Sequence, residues 1–156
     1  MPLPDDLRDL YQQVILDHSR RPRHRGRLEA PCTHVHGDNP TCGDEIDVWL
    51  KLDEAGNIEQ LKFEGQGCAI SQASASMMSV KMQGSSQAQA RQLIADFRCV
   101  ITGEGSISDE DALGELALLE GVQKFPQRVK CATLAWRALE QALAEANGNA
   151  AKPAQS

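Results

Sequence analysis

The clearest structural signal in this chain is the heptapeptide IDVWLKL at residues 46–52. Its apolar residues recur at every second position, Ile46, Val48, Leu50 and Leu52, which is the period of a strand with one buried face. The tetrapeptide at residues 54–57 supplies a turn, and residues 58–63 follow as a second, less regular strand. Because the connection is short, the pattern predicts an antiparallel hairpin. A third strand near Cys32–His36 has a weaker signal.

Helical periodicity covers most of the remaining chain. Apolar residues from Leu3 to Val14 predict an amphipathic helix that ends before Pro22. Further helical patterns cover about 68–84, 88–100 and 112–119. The first of these places Ile70, Ala73, Met77 and Val80 on one face. The last predicted helix carries Ala132, Ala135, Trp136, Leu139 and Leu143 on its core face.

This order of elements predicts an α+β fold in which a small antiparallel sheet of about three strands packs against several helices. We expect one domain, residues 1–146, and a disordered tail at 147–156. A hydrophobic content of 41% suits one core, and the amino terminus has no apolar signal segment. We therefore expect a cytoplasmic protein with no membrane span.

A net charge of −6 argues against general affinity for nucleic acid. One local exception exists, because five of the sixteen basic residues lie in the arginine segment, which we define as residues 20–27. Its arginines are Arg20, Arg21, Arg23, Arg25 and Arg27. Pro22 and Gly26 should make the segment irregular, so it is either a solvated loop or a contact for an acidic partner.

Three of the five cysteines lie at turns or helix starts, where a thiolate can be stabilised and exposed. These are Cys42, Cys68 and Cys131, and with Asp44 they make four candidate metal ligands. An odd number of cysteines without an export signal favours metal, redox or packing roles over disulfides.

The local settings explain why these side chains suit a metal site. The bent backbone around Gly43 lets Cys42 and Asp44 converge on one point. Cys68 follows a glycine-rich turn and opens a helix, where the helix dipole favours thiolate. Cys131 falls in the first turns of the last helix, and Arg128 on the same face could shield a negative site.

The alternative is that the cysteines are buried independently, since their spacing does not match the compact ligand pairs of zinc fingers. For Cys32 and Cys99, packing or adventitious exposure is the expected role.

Four ordered motifs carry a resemblance to a known family. They are LYQQVILDH at 10–18, NPTCGD at 39–44, FEGQGCAIS at 63–71 and FPQRVKCATL at 125–134. With these motifs the chain resembles the U-type iron–sulfur cluster assembly proteins, from about Leu7 to Leu143. Within that family it is similar to the SufU branch. IscU-like scaffolds have histidine where this chain has Lys130, and the segment 84–121 is longer here.

The resemblance implies a SufE/IscU-like fold and a zinc-dependent sulfur carrier. Zinc would be held by Cys42, Asp44, Cys68 and Cys131, and the carrier would take persulfide sulfur from a SufS-type cysteine desulfurase. It would supply downstream cluster-assembly proteins, with no nucleic-acid or membrane partner. Cys42 is the expected acceptor, with Arg128 tuning the electrostatics of the site. We expect no ligand role for His34 or His36.

Two alternatives stay open. One is a scaffold that binds a [2Fe–2S] cluster, or iron, through Cys42, Cys68 and Cys131. The other is a zinc-stabilised activator of the desulfurase that carries no sulfur. If the protein is an enzyme at all, it is at most a sulfurtransferase acting with the desulfurase.

Overall fold

The computed structural model describes residues 5–29, 32–40, 43–124 and 126–146. Its elements, in chain order, are α1 (Asp5–Arg20), β1 (Thr33–Asn39), β2 (Asp44–Leu52), β3 (Ile58–Gln66), α2 (Ala69–Met82), α3 (Gln87–Thr102), α4 (Glu110–Leu113), a 3-10 helix (Gly114–Lys124) and α5 (Pro126–Ala146). The predicted α+β fold is confirmed, and the weakly predicted third strand is present as β1. The predicted tail lies outside the described residues, and the single domain stays a prediction.

The three strands form one antiparallel sheet in the order β1-β2-β3. Val48 of β2 lies between Val35 of β1 and Phe63 of β3, and all three side chains are buried. Leu50 and Leu61 form the next buried pair. The period-two pattern thus produces one apolar face, which packs against the helices.

Trp49 departs from the predicted alternation, because it lies on the opposite face of β2 and yet is only 8% exposed. The imidazole of His34, its cross-strand partner, stacks on the indole with ring centroids 4.6 Å apart. The guanidinium of Arg27 lies 5.6 Å from the centre of the same ring. Neighbouring polar side chains therefore cover a tryptophan that the helices do not reach.

The helices cover the apolar face of the sheet. Helix α5 packs on β1 and β2, α2 packs on β3, and α1 packs on α2. The five core residues predicted for α5 are all buried. Buried Ser74 of α2 donates a hydrogen bond to the Ala132 carbonyl (2.6 Å) and accepts one from Trp136 Nε1 (2.9 Å). These bonds fix α2 and α5 relative to each other, and both helices carry cysteines considered below.

The predicted apolar face of α2 was wrong at Val80, which is 46% exposed. Ser76 and Ser79 occupy buried positions instead. Their hydroxyls bond the backbone of Arg23 in the arginine segment, at 2.8 Å to its N–H and 3.2 Å to its carbonyl. Polar partners on the packing surface thus favour serine over valine on this side of the helix.

The helix predicted at 112–119 was also wrong in type. Helix α4 ends at Leu113, and the chain continues from Gly114, at φ +52°, as a 3-10 helix. Its buried residues recur at intervals of three, namely Leu116, Leu119 and Val122, and continue the spacing from Leu113 at the end of α4. That interval matches the three residues per turn of a 3-10 helix.

Among the described helices, none combines the length and apolarity that a membrane crossing requires.

Candidate metal centre

Three of the four predicted ligands converge in the structure. A carboxylate oxygen of Asp44 and the sulfurs of Cys68 and Cys131 all lie within 4.8 Å of one another. They come from three elements, since Asp44 opens β2, Cys68 directly precedes α2, and Cys131 lies in the second turn of α5. The fourth, Cys42, lies outside the described residues.

Asp44 reaches the site because the chain turns sharply before β2. Gly43 has φ +80° and donates its N–H to the Asn39 carbonyl at 2.8 Å, which closes the turn. The Asp44 side chain is 3% exposed, and its Oδ1 accepts the Cys68 N–H at 3.2 Å. Its Oδ2 is buried and has no hydrogen-bond partner among the described residues. A buried carboxylate oxygen without a donor is costly, and a bound cation would offset that cost.

Gly67 leaves the room that the Asp44 carboxylate occupies. A Cβ at this position would overlap Asp44 Oδ1 and would lie 2.5 Å from Ser71 Oγ. The group that approaches Gly67 closely is thus the carboxylate of a predicted ligand. Ser71 was not predicted as part of the site; its hydroxyl donates to the Cys68 carbonyl at 3.0 Å.

The two cysteines differ in exposure. Cys68 is half-buried at the N-cap position of α2, with extended backbone angles, and its side chain makes no capping hydrogen bond. Its sulfur is therefore not used to cap α2 and stays available at the start of the helix. Cys131 is 5% exposed and packs into the hydrophobic core.

The donor set fits zinc. Sulfur and carboxylate ligands sit 2.0–2.3 Å from zinc, so in a tetrahedral site they lie roughly 3.3–3.8 Å apart. The observed cluster needs only a small contraction to reach that spacing. Cys42, the fourth predicted ligand, stands two residues before Asp44 in the sequence, and its role at the site stays a prediction.

Other candidate residues lie away from the cluster or contribute no contact to it. Arg128 and Lys130 are exposed, and the Arg128 side chain forms no hydrogen bond or ion pair with another described residue. Its predicted role in site electrostatics therefore stays a prediction.

Cys32 and Cys99 are half-buried, and their sulfurs lie near the Leu28 and Ser106 carbonyls.

His34 and His36 lie on the outer face of β1. Both contact Asp47 Oδ1, at 2.8 and 3.2 Å. These hydrogen bonds hold the pKa of Asp47 below its ordinary value, against the opposite effect of burial, which is the largest single influence on it. The two histidines thus belong to a separate surface group and contribute no ligand to the Asp44 cluster.

Comparison with known proteins shows which family this chain resembles. The model of the NifU-like N-terminal domain matches residues 10–152. An iron–sulfur cluster assembly scaffold protein IscU from Streptococcus pyogenes serotype M1 is 46% identical, over 88% of this chain and 84% of that protein. The zinc-dependent sulfurtransferase SufU from Bacillus subtilis strain 168 is 44% identical, over 92% of this chain and 95% of that protein.

A solved structure agrees with these matches. The crystal structure of FiSufU from Fervidobacterium islandicum AW-1, described as a scaffold protein for the SUF system, superposes with a TM-score of 0.79 at 34% identity. The alignment covers 86% of this chain and 97% of that one. The fold and site define a U-type assembly domain, in which a three-stranded sheet and its helices bring two thiols and a carboxylate together. The chain belongs to the NifU-like N-terminal domain family.

Proposed function

We propose that this protein works in iron–sulfur cluster assembly as a zinc-dependent sulfur acceptor. The observation that carries the proposal is the convergence of Asp44, Cys68 and Cys131, with Asp44 Oδ2 buried and unpaired among the described residues. Cys42 would complete the ligand set. Bound zinc would keep the coordinating thiols deprotonated.

Two observations favour the sulfur carrier over a cluster scaffold. The zinc-dependent sulfurtransferase of B. subtilis matches over 92% of this chain. In addition, the residue before Cys131 is Lys130, which is exposed, and lysine is not among the usual zinc ligands, which are cysteine, histidine, aspartate and glutamate. Without a ligand from Lys130, the proposed donor set is three thiols and one carboxylate, and such a set can hold zinc.

The transfer step uses a thiolate of this chain. We assign the acceptor role to Cys42, because Cys131 is buried in the core and Cys68 lies directly before α2, which leaves Cys42 as the third predicted thiol. Its thiolate attacks the terminal sulfur of a donor cysteine persulfide. One S–S bond forms and one breaks, the donor cysteine leaves as thiolate, and no net oxidation occurs.

The donor of this sulfur is a cysteine desulfurase, and we propose one of the SufS type. The persulfide on Cys42 then passes to downstream cluster-assembly proteins. Cys68 and Cys131 lie at the start of α2 and within α5, where packing holds them, so they are suited to keep the metal while Cys42 exchanges sulfur.

Persulfide formation tests the proposal. Purified protein is analysed for metal and then incubated with a SufS-type desulfurase and cysteine, and intact mass spectrometry counts the sulfur atoms gained. We expect zinc in the purified protein and a gain of one sulfur, which Cys42→Ser abolishes. Cys99→Ser is the matched control and should gain sulfur normally.

The identity of 46% to a protein named as a scaffold makes cluster assembly the second candidate. Reconstitution with iron and sulfide separates the two. A stable cluster with visible absorbance that passes to an apoprotein, without persulfide on Cys42, would contradict the carrier. If Cys42→Ala still stimulated the desulfurase fully, the protein would be an activator instead.

A further inference from the structure

The arginine segment, residues 20–27, is held in a defined conformation. The backbone of Arg23 bonds the hydroxyls of Ser76 and Ser79 on α2. Further along, the His24 carbonyl accepts the Phe63 N–H at 3.2 Å, and Gly26 N–H donates to the Phe63 carbonyl at 2.9 Å. The segment therefore lines the edge of β3, and its sequence-based description as an irregular loop was incomplete.

Although the backbone of the arginine segment is anchored, most of its arginine side chains lie in solvent. Arg20, Arg21, Arg25 and Arg27 are exposed, and Arg27 remains 74% exposed despite its 3.0 Å contact with Glu64. Arg23 is the half-buried member. Its guanidinium bonds Asp17 at 2.6 Å and lowers the pKa of that carboxyl below its ordinary value.

The positive charge is largely uncompensated. Among the described residues, Arg20, Arg21 and Arg25 form no ion pair, although the chain as a whole carries a net charge of −6. A fixed backbone also means that fewer degrees of freedom are lost when these side chains meet a partner. Such a concentrated positive surface on an acidic protein suits a specific acidic contact.

The segment lies beside the metal centre. Arg25 Nη2 is 3.5 Å from the Gly65 carbonyl, and three residues of chain from Gly65 to Cys68 span at most about 11 Å. A standard protein interface covers about 800 Å² per partner, a disc of roughly 16 Å radius. A protein that presents sulfur to the Cys68 cluster through an interface of this size centred on the cluster therefore reaches Arg25.

We infer that Arg20, Arg21, Arg25 and Arg27 form a docking surface for an acidic patch on the sulfur-donating protein. The inference rests on the proposed function and adds to it the surface and charge by which the donor is recognised. The acidic chain outside the arginine segment disfavours long polyanions such as DNA, RNA and anionic membranes.

Association kinetics with a purified SufS-type desulfurase test the inference. Arg21→Ser/Arg25→Ser removes two exposed charges without touching the Arg23–Asp17 or Arg27–Glu64 pairs. We expect its association rate to fall about tenfold at low salt, and the difference to shrink at high salt because screening weakens steering. Thermal melts confirm that the variant is folded.

The matched control is Arg91→Ser/Arg98→Ser, which removes two exposed charges from α3. It should associate like the wild type. The inference would be overturned if neither double variant associated with the desulfurase more slowly than the wild type, or if both lost association rate to the same extent. Tighter binding of a DNA duplex, an RNA or anionic vesicles than of the desulfurase, lost in Arg21→Ser/Arg25→Ser, would also overturn it.

Failure of the proposed function has a separate readout. Persulfide yield on the wild type at saturating desulfurase reports the sulfur-acceptor function, whereas the two double variants report docking. Normal persulfide yield with unchanged association of Arg21→Ser/Arg25→Ser leaves the function intact and removes the docking surface. If the wild type gains no persulfide but Arg21→Ser/Arg25→Ser alone loses association with the desulfurase, the docking surface stands and the sulfur-acceptor function is removed.

Discussion

At the scale of single residues, the candidate metal centre depends on a glycine as much as on its ligands. Gly67 has no side chain, and the Asp44 carboxylate lies where a Cβ would be. Gly65, two residues earlier, has another role, because a Cβ there would overlap the Glu45 carbonyl and disturb the pairing of β2 with β3. The two glycines of this turn therefore serve the site and the sheet respectively.

We predict that Gly67→Ala weakens metal binding by at least about tenfold, since it displaces the Asp44 carboxylate. The measurement is competition for zinc against a chromophoric chelator. Gly37→Ala is the matched control, because a Cβ there meets its neighbours at ordinary distances of 3.5 Å or more. Unchanged zinc affinity in Gly67→Ala would contradict the placement of Asp44 at the metal.

The sequence was more informative about the site than about its surroundings. Cysteines at turns and helix starts indicated Cys68 and Cys131, and the bent backbone at Gly43 indicated Asp44. Neither the contact of Gly67 with Asp44 nor the hydrogen bond from Ser71 to Cys68 could be inferred. Both depend on how β2 and α2 approach each other, which local pattern does not specify.

At the scale of secondary-structure elements, α1 is linked to the rest of the protein by a buried histidine. His18 is 7% exposed, and its Nδ1 lies 2.8 Å from Ser76 Oγ on α2. Its Nε2 lies 3.5 Å from Glu115 in the 3-10 helix. Burial of the ring, reinforced by the charge of Arg23, holds the pKa of His18 below 6.5, although Glu115 acts in the opposite direction.

This shift predicts a loss of stability in mild acid. The unfolded chain takes up a proton on His18 near pH 6.5, whereas the folded chain resists it, so stability is complete above that pH and falls below it. Urea unfolding at several pH values from about 7.5 to 5.5 measures how steeply the free energy of unfolding changes with pH. We expect His18→Gln to have a shallower slope than the wild type.

The control for this experiment is Gln13→Ala, at an exposed position of α1, which changes no titratable group and should retain the wild-type slope. Some slope will remain in His18→Gln, because burial and the nearby Lys62 also lower the pKa of His24. A His18→Gln slope identical to that of the wild type would show that the histidine is not responsible.

At the scale of the whole molecule, the candidate metal centre joins parts of the fold that are distant in sequence. Its ligands lie at the start of β2, at the start of α2 and in α5. Ser74 and Trp136 already link the two helices. A metal that binds the folded state and not the unfolded chain stabilises the whole assembly through linkage.

Removal of the metal should therefore lower the melting temperature. We expect several degrees of decrease after chelation, with metal loss verified by elemental analysis. Asp44→Ala is the control, since a protein that binds zinc weakly should respond little to the chelator. A wild-type melting curve that stays the same after verified metal loss would refute the prediction.

The sequence by itself determined the three strands, most of the helices and the ligand candidates, because strand and helix periodicity and turn chemistry act over a few residues. The hairpin, the long α5 and the positions of Asp44, Cys68 and Cys131 were all accessible from it. Only the tertiary structure decided which side chains meet: Gly67 against Asp44, His34 over Trp49, and the arginine segment along β3. Those contacts depend on packing between elements far apart in the chain, where no local pattern carries the information.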